Sequence, residues 1–440
     1  MAADRDGHTS SQAWLADHLK RRGLPLVAMT AFIVVSMAYS LWWEPVVDHG
    51  HSWIIPGDIW STFRAAHWVG WGDLGGIYGT DTQLVTFPGI AVLLAPVAMM
   101  SGALGLSESI VPVLLPHPTS WLILGPAMLA LGSSCVVAFD AVAEELAVGR
   151  GLRIALCWME AAVIFQVVTI WGHPEDTLAL ALALYAMLAA FRNRWSLAGW
   201  LWGAAIVIQP LVLLMFPLAF SRTPRGQRLR VCAYGALPTV VLLAPPLLSS
   251  WSATSRVLFH QANFPHLDHA TPWLALAPRL SSDSVGAGPG RMLAVLAAIG
   301  LGLLAYRRRP SVVGLLWLCA LSLGLRCCFE SVMVPFYLGP PLALMVVVAA
   351  ARNRARWLVA SFAVAMVAEE WASHRFPEWG YWTPMVILLA VGLACGWPGR
   401  EALGLTARGR GDTRTDPSVC AGEQPGALPA QPSLEREPTR

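Results

Sequence analysis

The sequence predicts an all-α polytopic integral membrane protein, and three observations carry that expectation. Of 440 residues, 56% are hydrophobic and only 13% charged, with a mean hydropathy of +0.55. Soluble domains carry about 25% charged residues, so the chain has roughly half the charge that a water-facing globule needs. Apolar runs close to the length of a bilayer span recur along it, and arginine clusters fall between those runs in alternate loops. A soluble enzyme with a hydrated shell is excluded, and so is a disordered chain, whose apolar content would be far lower.

The run 24–43 follows Lys20, Arg21 and Arg22. It is long enough to span and lacks a small-x-small cleavage site, so it reads as an uncleaved anchor behind a cytoplasmic segment, 1–23. Further runs occupy 121–142, 154–171, 177–191, 231–248, 292–306, 312–325, 337–351, 357–371 and 382–397. Two apolar stretches are broken by proline: 87–115 by Pro88, Pro96 and Pro112, and 197–220 by Pro210 and Pro217. Both read as re-entrant or broken helical pairs, tolerated where protein or a cavity satisfies the freed backbone groups. With this set, Arg150 and Arg153, Arg192 and Arg194, the group Arg222 to Arg230, Arg307 to Arg309, and Arg352 to Arg356 all share the side of the N-terminus. That is the cytoplasmic side by the positive-inside rule. The membrane unit is expected over 24–398. Residues 399–440, rich in Pro, Gly, Ser, Thr, Arg and Glu, are expected to form a disordered cytoplasmic tail.

Lys20 is the only lysine among 30 basic residues, a bias that reads as genome composition. No basic stripe interleaved with aromatics supports nucleic-acid binding. The eight cysteines show no zinc spacing, and they read as small hydrophobes.

Functional groups collect on the other face, in loops 44–84, 172–176, 251–290, 326–336 and 372–381. In the first, Ile55, Ile59, Phe63, Ala66 and Gly70 recur at steps of three and four, and Trp60, Trp68 and Trp71 add interfacial aromatics. This spacing predicts an amphipathic helix at the outer membrane surface. Asp58 stands at its start, where it suits either an N-cap or a general base, and Arg64 lies about two turns on. In GHPED, Glu175 and Asp176 open the next helix as first-turn acids, or as contacts for a hydroxyl or cation. His173 beside them finds no partners at metal spacing. His260, His266, Asp268 and His269 share the long outer loop, where they suit hydrogen bonding to a polar ligand or to loop backbone. Glu330 lies four residues after Arg326 and can pair with it across a helical turn. Glu160 falls inside a spanning run, as a functional group or a buried paired charge. No metal or cofactor is expected.

The stretches DIWSTFRAA, GDLGGIYG, GHPEDTLALALALYAML, AGWLWGAAIVIQPLVLLMFPLAF, NFPHLDHATPWLALAP and FESVMVPFYLGPPLAL together resemble the GT-C superfamily of membrane glycosyltransferases. Within it, they look most like actinobacterial members of glycosyltransferase family 87, the polyprenyl-phosphomannose-dependent mannosyltransferases. The likeness covers roughly residues 20 to 395 and rests on no single diagnostic motif. It implies a bundle of about 10–13 transmembrane helices in a cell membrane, with both termini cytoplasmic and an extracytoplasmic site. It also implies transfer of a sugar, mannose first, from a polyprenyl phosphate to a lipid or glycan hydroxyl. Asp58 matches the first-loop carboxylate that serves as base. The donor-phosphate and substrate groups then come from Arg64, His173, Glu175, Asp176, His260, His266, Asp268, His269, Arg326, Glu330 and Arg375. No Gly-rich phosphate loop is present, which suits a lipid-phosphate donor over a nucleotide sugar. The competing expectations are a polytopic transporter or lipid flippase, whose broken helices meet substrate near the midplane, and a non-catalytic membrane subunit.

Overall fold

A computed structural model describes residues 18, 20–46, 50–79, 84–108, 115–259, 261–266, 268–352, 354–372 and 378–405. The chain divides into a unit Met1–Leu405 and a unit Thr406–Arg440, the second lying outside the described residues. The protein is an all-α, multi-pass membrane protein. Seven helices among the described residues are long and apolar enough to cross a membrane: α1 (Gly23–Ser40), α4 (Trp121–Glu145), α5 (Arg150–Val163) with a π-helical extension Gln166–Ile170, α6 (Pro174–Phe191), α9 (Arg228–Ser249), α11 (Pro289–Arg308) and α12 (Val312–Phe329). The remaining helices fill between them: α2 (Ile59–Gly70), α3 (Gly89–Ala103), α7 (Trp195–Ile208), α8 (Phe216–Phe220), α10 (Trp251–Phe259), α13 (Gly339–Ala351), α14 (Ala355–Ala372) and α15 (Trp382–Cys395). The strands are small: β1 (Trp43–Val46) pairs antiparallel with β2 (Gly50–Trp53), and β3 (His269–Ala270) with β4 (Val332–Met333).

Helices α6 and α13 are the centre of the bundle. Both are apolar on every side and buried along nearly their whole length, as a helix enclosed by other helices must be. The outer helices expose leucine and valine, among them Val34, Leu296 and Leu303, so apolar surface faces outward where lipid would cover it. Between α7 and α9 the backbones meet at small residues. A Cβ on Gly203 would come within 2.7 Å of the Tyr234 carbonyl and the Pro238 ring, so Gly199 and Gly203 permit this close packing.

The two proline-broken stretches diverge. In 197–220 the chain does break, from α7 through a 3₁₀ turn at Pro210–Leu214 into α8. In 87–115 the described residues hold one helix, α3, which continues through Pro96, and 109–114 lie outside the described residues. The packed unit also extends past the expected start of the tail. Leu403 is buried and the Ala402 carbonyl accepts the Ser311 amide at 2.7 Å, so 399–405 belong to the bundle.

The arginine groups meet at one end. Arg22, 1% exposed, donates to Asp140 and Glu144, while Arg153 holds Asp140 with two bonds of 2.8 and 2.7 Å. Arg192 pairs with Glu145 at 2.6 Å. The start of α1, the end of α4, the start of α5 and the end of α6 are thereby tied by charge. A buried guanidinium is tolerated because carboxylates answer it, and removing one leaves the charge uncompensated. Asp140→Ala should therefore lower stability by about 3 kcal/mol or more, seen as a fall in thermal midpoint of the detergent-purified protein. An unchanged midpoint would mean that Glu144 alone holds Arg22.

Candidate functional site

The site is assembled at the opposite ends of these helices. Pro56 and Gly57 lead into Asp58, which precedes α2 and is 59% exposed. Its side chain makes no capping bond. The N-cap expectation is thus overturned: the backbone at Asp58 is already helical, φ −69° and ψ −26°, and the carboxylate turns away to take a bond from His173 Nε2 at 3.0 Å. Asp73, in contrast, does cap, accepting from the Gly76 amide at 2.9 Å.

His173 is placed by the backbone around it. Its amide donates to the Val167 carbonyl at 3.0 Å, inside the π-helical turn that ends the α5 span. Gly172 has φ +75°, and a Cβ there would sit 2.7 Å from the Pro56 ring. Glycine is needed on both counts, for the left-handed backbone and for the approach that brings the GHPED loop against the start of α2. Pro174 then occupies the first turn of α6, where its missing N–H costs nothing. The imidazole stacks on Phe336, 3.7 Å between ring centroids. Its Nδ1 meets Glu175 Oε1 at 2.7 Å.

The electrostatics follow. Burial works to lower the His173 pKa, but Glu175 and the Asp58 bond outweigh it and hold the ring well above its ordinary value of 6.5. His173 is therefore an imidazolium donating from both nitrogens, one to each carboxylate. Asp268 lies within electrostatic reach of Asp58, His173 and His266. Burial first, and the Asp58 charge second, raise its carboxyl to about 6.

Behind this triad lies a cavity of about 330 Å³, lined by His173, Glu175, Gln209, Arg291, Arg326 and Glu330 among apolar walls. Glu330 is shared by two guanidiniums. Arg326 Nε reaches it at 3.2 Å from one turn back, as expected, and Arg291 reaches both its oxygens at 3.2 and 3.3 Å. Arg326 also lies over the Tyr337 ring, 3.6 Å from its centroid. Glu175 and Asp176 are first-turn acids of α6, as expected, but both are enclosed. Asp176 accepts from Gln209 Nε2. Thr271 Oγ1 donates to the Glu330 carbonyl at 2.6 Å, and β3 pairs with β4, so the long outer loop is pinned to the same wall.

Not every expected residue arrives here. His269 is buried face to face with Tyr381, 3.7 Å apart, as part of β3. His266 is exposed and lines a separate cavity of about 530 Å³ with Arg279, Asp283 and Trp379. Arg64 lines a third, of about 470 Å³, with His67, Trp68 and Glu108. His260 and Arg375 lie outside the described residues. Arg291 was not singled out by the sequence, although a signal existed: an arginine in the first turn of a helix stands against the helix dipole, which calls for a compensating anion such as Glu330. Among the described residues, no group of three or more His, Cys, Asp or Glu is arranged to hold a metal ion.

No protein-family model matches the chain, and no curated protein matches it.

A folded pKa raised above the unfolded 6.5 means that the His173 ion pairs contribute fully below pH 6.5 and are lost as pH climbs through the folded value. Thermal midpoints measured across the neutral to alkaline range should fall more steeply for the wild type than for His173→Gln. Parallel profiles would show that His173 carries no extra proton.

Proposed function

We propose that this protein transfers a sugar from a polyprenyl phosphate to a hydroxyl of a lipid or glycan, at the extracytoplasmic face of a cell membrane. The observation that carries the reading is one arrangement. An exposed carboxylate, Asp58, is bonded to His173, and His173 itself lines a cavity whose wall presents Arg291 and Arg326. Transfer with inversion needs those two parts, a base for the acceptor proton and cations for the departing phosphate.

In this reading Asp58 takes the proton from the acceptor hydroxyl as its oxygen bonds to the anomeric carbon. The bond from that carbon to the phosphate oxygen breaks, and polyprenyl phosphate leaves with the electron pair. His173 acts as a positioning residue. Charged and bonded at both nitrogens, it holds Asp58 toward the acceptor and has no free lone pair to compete as base. Arg291, 34% exposed, offers the fork of donors that matches a phosphate. The apolar walls, Leu211 and Leu214 among them, suit the first isoprenes. The arginine-rich helix ends lie opposite the site, which supports an extracytoplasmic reading under the positive-inside rule. The GT-C resemblance points to mannose as the sugar. The expected depth of polar groups also favours this chemistry over transport, since these residues sit at helix ends and not at midspan.

The test is transfer of label from polyprenyl-phosphomannose to a membrane lipid extract by purified protein. Asp58→Asn keeps an acceptor for His173 but loses the base, and should reduce turnover by roughly 100-fold or more with folding intact. Arg291→Gln should raise the KM for donor about tenfold, the effect of one lost charged hydrogen bond. Undiminished transfer by Asp58→Asn would remove Asp58 from the chemistry.

A further inference from the structure

The break between α7 and α8 sets a polar side chain into the wall of the 330 Å³ cavity, and sugar transfer as described above leaves it without a part. Pro210 disfavours helical backbone at the residue before it. Gln209 accordingly leaves α7 extended, φ −148° and ψ 111°, ahead of the 3₁₀ turn Pro210–Leu214. Its side chain lines the cavity together with His173, Glu175, Arg291 and Arg326. The amide nitrogen, Nε2, donates to Asp176 Oδ1 at 2.5 Å.

That bond fixes which way the amide faces. Asp176 is 2% exposed, and the cations His173 and Arg326 both act on it. A carboxylate only accepts, so Gln209 must give it the nitrogen and turn the oxygen elsewhere. Among the described residues nothing donates to Gln209 Oε1. Nor is that oxygen one of the enclosed atoms that lack a partner. It is an open acceptor on a cavity wall.

An open acceptor selects for a group that can donate. Of the three parts of a polyprenyl-phosphate sugar, the isoprenes carry no polar hydrogen and the ionised phosphate only accepts. The sugar alone brings hydroxyls, each with one O–H to give. It is the donor's sugar that meets Gln209, because Asp58, where the acceptor hydroxyl is activated, is not part of this cavity's wall. A site built to bond a hydroxyl rejects the analogue that lacks it, since its own polar group is then left unpaired.

On the premise of sugar transfer, we propose that Gln209 accepts a hydrogen bond from a hydroxyl of the sugar being transferred, with Asp176 as its positioning residue, and that this pair selects the sugar.

The experiment compares kcat/KM of the full-length protein for polyprenyl-phosphomannose and for its 2-, 3-, 4- and 6-deoxy forms, with one membrane lipid extract as acceptor. Wild type should use at least one deoxy donor about tenfold or more less well than the parent. Gln209→Met, close in volume, should bring one such ratio near unity and leave the rest as they were. Asp176→Asn, which lets the amide turn either way, should lower the same ratio several-fold. Damage to the fold in general would slow every donor together and leave the ratios standing. Should Gln209→Met not fold, Asp176→Asn decides. Equal use of all donors by wild type would overturn the role of Gln209 alone, and so would ratios unchanged in the folded variants. Absence of transfer from every donor by wild type would overturn sugar transfer itself, and the role of Gln209 with it.

Discussion

His173 leaves a π-helical turn at the end of one spanning helix and enters the first turn of the next, and its two ring nitrogens reach two different segments. Much of the outer face depends on that clamp. The backbone bond to Val167 and the bare Cα of Gly172 bring the loop against Pro56, and the ring then fixes Asp58 without burying it. Had Asp58 capped its own helix, its carboxylate would point along the helix axis into the first free amides. Drawn instead to His173, it stays 59% exposed with one oxygen anchored. That is the condition of a group able to meet a substrate.

The class of fold was legible because hydrophobic length and arginine placement are one-dimensional properties. The spans expected at 121–142, 177–191 and 312–325 lie within α4, α6 and α12, since a run of apolar residues suffices to predict them. Proline was less readable. Pro96 and Pro210 look alike in sequence, yet α3 continues through the first and the chain breaks near the second. The tail boundary failed as well: composition changes at 399, but Leu403 still finds a pocket.

The site was legible by residue and not by grouping. Asp58, His173, Glu175, Arg326 and Glu330 were named, and they do converge. His266, His269 and Arg64 were equally attractive as residue types and lie elsewhere. Two short segments decide this. The pairing of β3 with β4 turns His269 inward onto Tyr381, and the packing of α2 on α3 carries Arg64 to a different cavity. Both are tertiary contacts between segments separated by a loop or more of sequence, beyond the reach of any local pattern.

Arg326 and Arg291 differ in a way that bears on how the cavity would receive an anion. Both answer Glu330, but Arg326 is 16% exposed and lies flat against Tyr337, while Arg291 is 34% exposed and faces the cavity from the first turn of α11. Asp176 acts on Arg326 as well as Glu330 does, so the cation behind is answered from two sides. The stacked guanidinium is held by ring and carboxylate together and can keep Glu330 alone. The exposed one can exchange part of its Glu330 contact for a phosphate, at little cost, because the partner it releases remains paired. The cation behind thus keeps Glu330 paired whether or not a phosphate is bound in front. That explains why a buried glutamate is built into a site proposed to bind a negative group.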